Sequence, residues 1–376
     1  MRRIFYKLNY FLSNWWQSVD QVILWSLALL FCFGMILVTA ASPAIAGRIG
    51  IDKSFFIIRQ GIYLSLAAAV IIFISMASPI TIRRFAILGF CMSIILLLAV
   101  KFFGYEIKGA KRWINLLGIS IQPSEFTKPF FFILTGWILS VKFEQESFPS
   151  VRVTSIFYLI IALFLITQPD IGTLILISAS YLVQLFIAGM PIAIIALLML
   201  FSSCGLLLAY NFLPHVASRI NTFLGSDISN NYQITKSLLA YEKGGIFGLG
   251  PAEGIVKYSL PDSHTDFIFA VAGEEFGVIA CITISLIFCI IAVRSLLLIS
   301  RKNDYYIMLS GLGLVTQFVL QAMINMSVTL NLIPTKGMTL PFISYGGSSI
   351  LAMAISMGVI LSFTRRGPKL YTYKFS

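Results

Sequence analysis

The 376-residue chain is short of charge: Asp, Glu, Lys and Arg together make up 11% of it. A soluble domain of this size would carry roughly a quarter, so an ordinary soluble globular protein is excluded. Histidine is scarcer still, at two residues, which argues against a His-rich metal centre. Cysteine is confined to Cys32, Cys91, Cys204, Cys281 and Cys289. All five lie inside apolar runs without metal-type spacing and read as small buried hydrophobes. There is no low-complexity tract and no clear internal repeat. Gly244–Gly254 is rich in glycine, but no strand precedes it, so it is neither a phosphate-binding loop nor a dinucleotide fingerprint and reads as turns.

What is abundant is apolar: 58% of residues are hydrophobic and 14% aromatic. Runs near the roughly 20 residues that a helix needs to cross a bilayer recur along the whole chain. They predict ten spans at 22–41, 57–77, 85–103, 126–141, 154–169, 171–188, 190–211, 267–299, 305–332 and 343–364. The expected fold is therefore an all-α polytopic membrane protein, a single integral domain over 1–376. The first run is too long for a cleaved signal peptide and is read as a retained span. An even span number places both termini, 1–21 and 365–376, on one side. The basic terminal segments and the hairpin at 78–84 make that side cytoplasmic. The long connection at 212–266, between spans seven and eight, is then extracytoplasmic and too long to be idle. The net charge of +12 is explained in part by this topology, and no nucleic-acid partner is expected.

Three polar segments fall on the outer side. The first, Leu260–Gly277, brings Asp262, His264, Asp266, Glu274 and Glu275 to the start of span eight. A single helix from Asp266 to Ile299 would be about 50 Å long, well beyond the ~30 Å hydrocarbon core. Its acids would line a surface cleft outside the lipid. Ser263-x-x-Asp266 also fits a capping box, and Glu274 and Glu275 could equally pair with loop cations.

The second segment, Lys108–Pro129, offers Lys108, Lys111 and Arg112 on the side the topology rule disfavours, which points to phosphate binding. Trp113 suits an aromatic-belt anchor or a substrate contact. Gln122-Pro123-Ser124-Glu125 opens span four, with Ser124 as a natural N-cap and Glu125 and Lys128 spaced to pair on one face. The third, Leu332–Ser349, holds too many glycines and prolines for one regular helix. Lys336 is its only charge, placed either to snorkel or to meet substrate.

Together the three segments resemble the SEDS family (shape, elongation, division and sporulation) of polytopic enzymes that polymerise peptidoglycan. The resemblance runs from about residue 20 to 365. Its specific pieces are Arg112-Trp113-Ile114, Gln122 to Glu125, Tyr232-Gln233, His264-Thr265-Asp266-Phe267-Ile268-Phe269, Glu274-Glu275, and Pro341 with Ser344–Ser349. Pro334–Gly337 and Leu260–His264 resemble the division branch more than the elongation branch. The family more often has Glu at Asp262 and Ala at Ser263, which bears only on fine substrate positioning.

The resemblance implies a glycosyltransferase of the bacterial inner membrane acting on lipid II at the periplasmic face, with Asp266 as catalytic carboxylate. Asp266 would be the general base on the acceptor 4-hydroxyl. Lys108, Lys111, Arg112 and Lys336 would steady the pyrophosphate leaving group. Trp113, Gln122, Ser124, Glu125, Lys128, His264, Thr265, Glu274, Glu275, Ser344, Gly346 and Gly347 complete the expected substrate contacts. A divalent cation such as Mg2+ could share the leaving-group task, although the sequence shows no dedicated cage for one. A class B penicillin-binding transpeptidase and other divisome proteins are the implied partners. Two other functions fit the same features: a lipid II flippase, suggested by proline-broken spans five to seven, and a non-catalytic divisome scaffold.

Overall fold

The computed structural model describes residues 13–107, 110–116, 118–212 and 232–366, with Ala217, Asn221 and Phe223 between the last two stretches. Lys108 lies outside the described residues. Ten apolar helices follow the expected runs: α1 (Gln21–Ile49), α2 (Phe55–Met76), α3 (Pro79–Phe103), α4 (Pro123–Ser140), α5 (Ser150–Thr167), α6 (Ile171–Ile187), α7 (Ile192–Phe212), α9 (Ile268–Ile299), α10 (Tyr305–Thr329) and α11 (Gly347–Thr364). Among the described residues nine of these are long and apolar enough to cross a membrane, and α6 is a shorter apolar helix. The chain is a multi-pass membrane protein. A further helix, α8 (Tyr232–Gly244), lies in the long connection.

Several helices start where side chains or proline can serve the free N–H groups of a first turn. Asp20 accepts from Ile23 N before α1, Ser78 from Thr81 N before α3, and Asp304 from Tyr306 N and Ile307 N before α10. For α4 the expected cap is corrected. The N-cap is Gln122, Pro123 holds the first position, and Ser124 lies inside the first turn. Proline suits that position because the N–H it lacks would be unsatisfied there anyway.

An addition to the all-α expectation lies between α3 and α4. There β1 (Tyr105–Ile107), β2 (Ala110–Leu116) and β3 (Ile119–Ile121) form an antiparallel sheet, with Glu106 opposite Lys111 and Ile114 opposite Ile121. A three-stranded ribbon satisfies backbone polar groups over a segment too polar for a span.

Packing divides the helices sharply. α4 and α11 are buried almost throughout, α11 against α2 and α4 against α3 and α10. By contrast, α7 is exposed along most of its described residues, with Ile195 buried. The cysteines depart from expectation here: Cys32, Cys91, Cys204 and Cys289 are exposed and Cys281 is half-buried. The bilayer explains the difference, because a small apolar side chain is as well placed against lipid as in a protein core.

The end that gathers the start of α1 and the ends of α9 and α11 is closed by cations. Arg294 grips the Asp20 carboxylate through Nη2 at 2.8 Å and Nε at 3.1 Å. Burial works against a charge on Asp20, but Arg294 and the α1 N–H groups hold its pKa below the ordinary value. Arg365 Nη2 donates to Ala77 O, and Lys302 Nζ to Arg365 O.

Candidate active site

At the opposite end, helices stop short or break, and a cavity of about 380 Å³ opens among them. Its walls come from β2, the starts of α4, α6 and α11, the turns before α9, and the irregular segment before α11.

The floor is built from α4 and α10. Lys128, 1% exposed, donates from Nζ to Glu125 Oε2 and to Gln321 Oε1, both at 2.9 Å. The Glu125–Lys128 spacing makes the pair expected for one helix face. Gln321 then donates from Nε2 to Thr339 O at 3.1 Å. A buried ammonium is tolerable only when it is paired and hydrogen-bonded in this manner.

One wall is the turn between α5 and α6. Arg112 donates from Nε to Gln168 O at 3.1 Å and from Nη2 to Pro169 O, and Nη1 lies 3.6 Å from Asp170 Oδ1. Asp170 in turn caps α6 through Thr173 N and accepts from Ser124 Oγ at 3.4 Å. Much of the guanidinium is therefore engaged with protein, although Arg112 still faces the cavity.

The other wall carries Asp266. α9 begins only at Ile268, with Phe267 as N-cap and no side-chain cap. The Ser263–Asp266 capping box does not form: Ser263 Oγ is buried and has no hydrogen-bond partner among the described residues. Residues 262–267 are instead stitched to the segment before α11. Ser344 Oγ donates to Thr265 O at 2.6 Å, Tyr345 N to His264 O at 2.9 Å, and Asn325 Nδ2 to Asp266 O at 2.9 Å. Gly337 has φ +60°, and a methyl there would sit 3.3 Å from Asp266 Oδ2. The carboxylate is thus packed against the glycine that follows Lys336, and Lys336 lines the same cavity. Behind this wall His264 packs its ring between Phe56 and Tyr345. Burial raises the Tyr345 pKa, opposed by a hydrogen bond from Arg59.

Of the expected contacts, Arg112, Trp113, Gln122, Glu125, Lys128, Thr265, Asp266, Lys336 and Gly346 share this cavity. Lys111, Ser124, His264, Ser344 and Gly347 are not on its wall. Glu274 and Glu275 are the clearest departure. Both are buried, not spread along a surface cleft. Glu274 accepts from Val256 N at 2.5 Å and Lys257 N at 2.9 Å. Glu275 pairs with Lys257 Nζ and accepts from Ala252 N.

The reason lies three residues on. Gly277, φ 72° and ψ −172°, interrupts α9, and any Cβ there would meet Ile246 O at 2.2 Å. Only glycine allows that backbone and that approach. The single long rod is replaced by a short stub tucked under the loop at 244–258.

Asp170, Gln321 and Asn325 belong to the site and were not anticipated. Asp170 is hidden in a Gln-Pro-Asp connector that reads as a helix break. Gln321 and Asn325 carry a usable signal, two carboxamides one turn apart in an apolar span. Among the described residues no group of three His, Cys, Asp or Glu side chains is placed to hold a metal ion.

The sequence profile of a family described as cell cycle protein, covering FtsW, RodA and SpoVE, matches residues 20–367. A probable peptidoglycan glycosyltransferase FtsW from Caulobacter vibrioides is 40% identical over 361 residues, spanning 96% of this chain and 93% of the relative. One of the same description from Geobacter metallireducens is 35% identical, spanning 93% and 96%. Among solved structures, a chain of a peptidoglycan synthase complex that coordinates polymerization and crosslinking superposes with TM-score 0.76 at 22% identity, covering 93% of this chain and 98% of that one. The rod shape determining protein RodA of Thermus thermophilus superposes with TM-score 0.69 at 23% identity, covering 93% and 97%. These two likenesses establish the fold.

Proposed function

The chain belongs to the FtsW, RodA and SpoVE family of cell cycle proteins, and we propose that the cavity beside Asp266 is its glycosyl-transfer site. The protein is a division-associated peptidoglycan glycosyltransferase, as its relatives are described. Its substrate is lipid II, a disaccharide-pentapeptide on undecaprenyl pyrophosphate, and its product a glycan strand. The observation that carries the reading is Asp266: a carboxylate on the cavity wall, one residue before the N-cap of α9 and set beside the Lys336 segment.

Asp266 accepts the proton of the acceptor 4-hydroxyl as that oxygen attacks the anomeric carbon of the donor. The bond to the pyrophosphate oxygen breaks, and undecaprenyl pyrophosphate leaves. General-base help of this kind is worth about 10²–10⁴-fold. Lys336 and the cavity edge of Arg112 meet the negative charge that develops on the leaving group. Lys128 has a different task, since its ammonium is engaged by Glu125 and Gln321, and it shapes the floor. Lys111, exposed on β2, serves as an outer contact.

The cavity faces the periplasm and both termini the cytoplasm, as the basic inner segments favour. A class B penicillin-binding transpeptidase sits beside the enzyme in the membrane, with other divisome proteins around it. Purified protein in vesicles supplied with lipid II tests the reading. Polymer is the expected product; translocation without polymer would make the protein a flippase, and neither activity would make it a scaffold.

A further inference from the structure

Asn325 sits one helical turn beyond Gln321 on α10 and is 1% exposed, on the cavity wall. Its Nδ2 donates to two backbone carbonyls, Asp266 O at 2.9 Å and Met338 O at 2.5 Å. Both are acceptors only, so chemistry decides which end of the amide is nitrogen. The other end, Oδ1, is buried and has no donor among the described residues. Buried polar atoms normally have partners, and here the open position is at a cavity.

The two carbonyls belong to different pieces of the site. One is in the turn that carries the proposed base, the other two residues after Lys336. Asn325 belongs to neither piece; it reaches both from a membrane-spanning helix. A shift in either bond changes where the base stands relative to the lysine that meets the leaving group. Misplacements near 1 Å can cost about 10²-fold in rate.

We propose that Asn325 is a positioning residue for glycosyl transfer: Nδ2 holds Asp266 and the Lys336 segment in one register, and Oδ1 accepts a hydrogen from a hydroxyl or amide N–H of the bound sugar. The proposal rests on the cavity being the glycosyl-transfer site. Asp266 removes the proton, Lys336 answers the leaving group, and Asn325 fixes the geometry between them without taking part in bond making.

The test compares wild type, Asn325→Ala and Asn325→Asp in lipid II vesicles across a pH series, with melting temperature and amide hydrogen exchange measured alongside. Asn325→Ala should lower kcat at least about tenfold and raise KM about threefold or more per folded protein. Exchange should quicken together at 262–267 and 336–340. Asn325→Asp gives a signature that a purely structural role would not. The introduced carboxyl stands against the same two carbonyl oxygens. Protonated, it donates to one carbonyl and keeps Oδ1 as acceptor; ionised, it repels both. Its activity relative to wild type should therefore fall as pH rises.

A kcat within about twofold of wild type for Asn325→Ala would overturn the proposal. So would a pH profile of Asn325→Asp parallel to wild type, or losses that track melting temperature alone. If Asn325→Ala does not fold, the Asn325→Asp profile decides. If wild type makes no polymer, the glycosyltransferase reading has failed, and the exchange of the two segments still shows whether Asn325 couples them.

Discussion

Two buried lysine–glutamate pairs stand at the same end of the molecule and differ in what surrounds them. Lys128 and Glu125 lie one turn apart on α4, and both face the cavity. Lys257 and Glu275 join a loop to the stub of α9, and neither lines it. In the first pair the lysine keeps a third partner, Gln321, whose amide runs on to Thr339 at the rim. In the second, Glu274 and Glu275 are closed around backbone N–H groups of the loop. The same two residue types therefore build a floor in one place and a clamp in the other. Composition does not separate them; the neighbours of the carboxylate do.

The comparison predicts that substitutions on the cavity side lower activity in folded protein, whereas those on the clamp side lower stability and leave the surviving activity intact. The largest effect belongs to Asp266→Asn, which should reduce polymer formation at least about a hundredfold. Since the N-cap of α9 is Phe267 and not Asp266, membrane insertion and melting temperature should stay close to wild type. Polymerisation within about threefold of wild type would remove Asp266 as the base.

Next is the clamp. Lys257→Met strands the Glu275 carboxylate and should cost about 3–5 kcal/mol, read as a lower melting temperature. Adding Glu275→Leu should restore most of it, because an apolar pair needs no partner in that site. The KM of the remaining folded enzyme should be unchanged. A raised KM would erase the distinction between the pairs, as would an unchanged KM in Lys128→Met.

Gly277→Ala should cost about 1–3 kcal/mol for the strained backbone alone, and more where Ile246 O must move. Proteolysis should then cut 244–258 faster, while membrane insertion of Val278–Ile299 is retained. The smallest effect is expected for Ser124→Ala. Its hydroxyl reaches Asp170 only at 3.4 Å, so stability should change by less than about 1 kcal/mol and lipid II turnover hardly at all.

The spans were legible because a bilayer imposes its thickness on the sequence, and nothing competes with a run of twenty apolar residues. The end that holds the cavity was less so. Ser263-x-x-Asp266 reads as a helix start in one dimension. In the fold, the carbonyls of His264 and Thr265 bond to Tyr345 and Ser344, eighty residues on, and the helix starts later. Asp170 was hidden for a similar reason: its partner Arg112 lies on a strand that nothing in the local pattern announced. Glu125 and Lys128 were legible because both partners are local. Gln321 and Asn325 were visible as polar residues inside an apolar span, a signal strong enough to have been used.

The break at Gly277 also has a mechanical side. The stub from Ile268 to Phe276 is fastened to the loop by both glutamates and by Leu249 N and Gly250 N, which bond the carbonyls of Glu274 and Glu275. The loop also crosses the break, because Val278 N and Ile279 N bond the carbonyls of Gly245 and Ile246. The stub is therefore splinted at its Gly277 end by the loop and anchored at its Asp266 end by Asn325 of α10. At 1.5 Å per residue it is about 15 Å long, so a tilt of about 4° would move Asp266 by about 1 Å, enough to change rates about a hundredfold; splint and anchor together oppose that tilt.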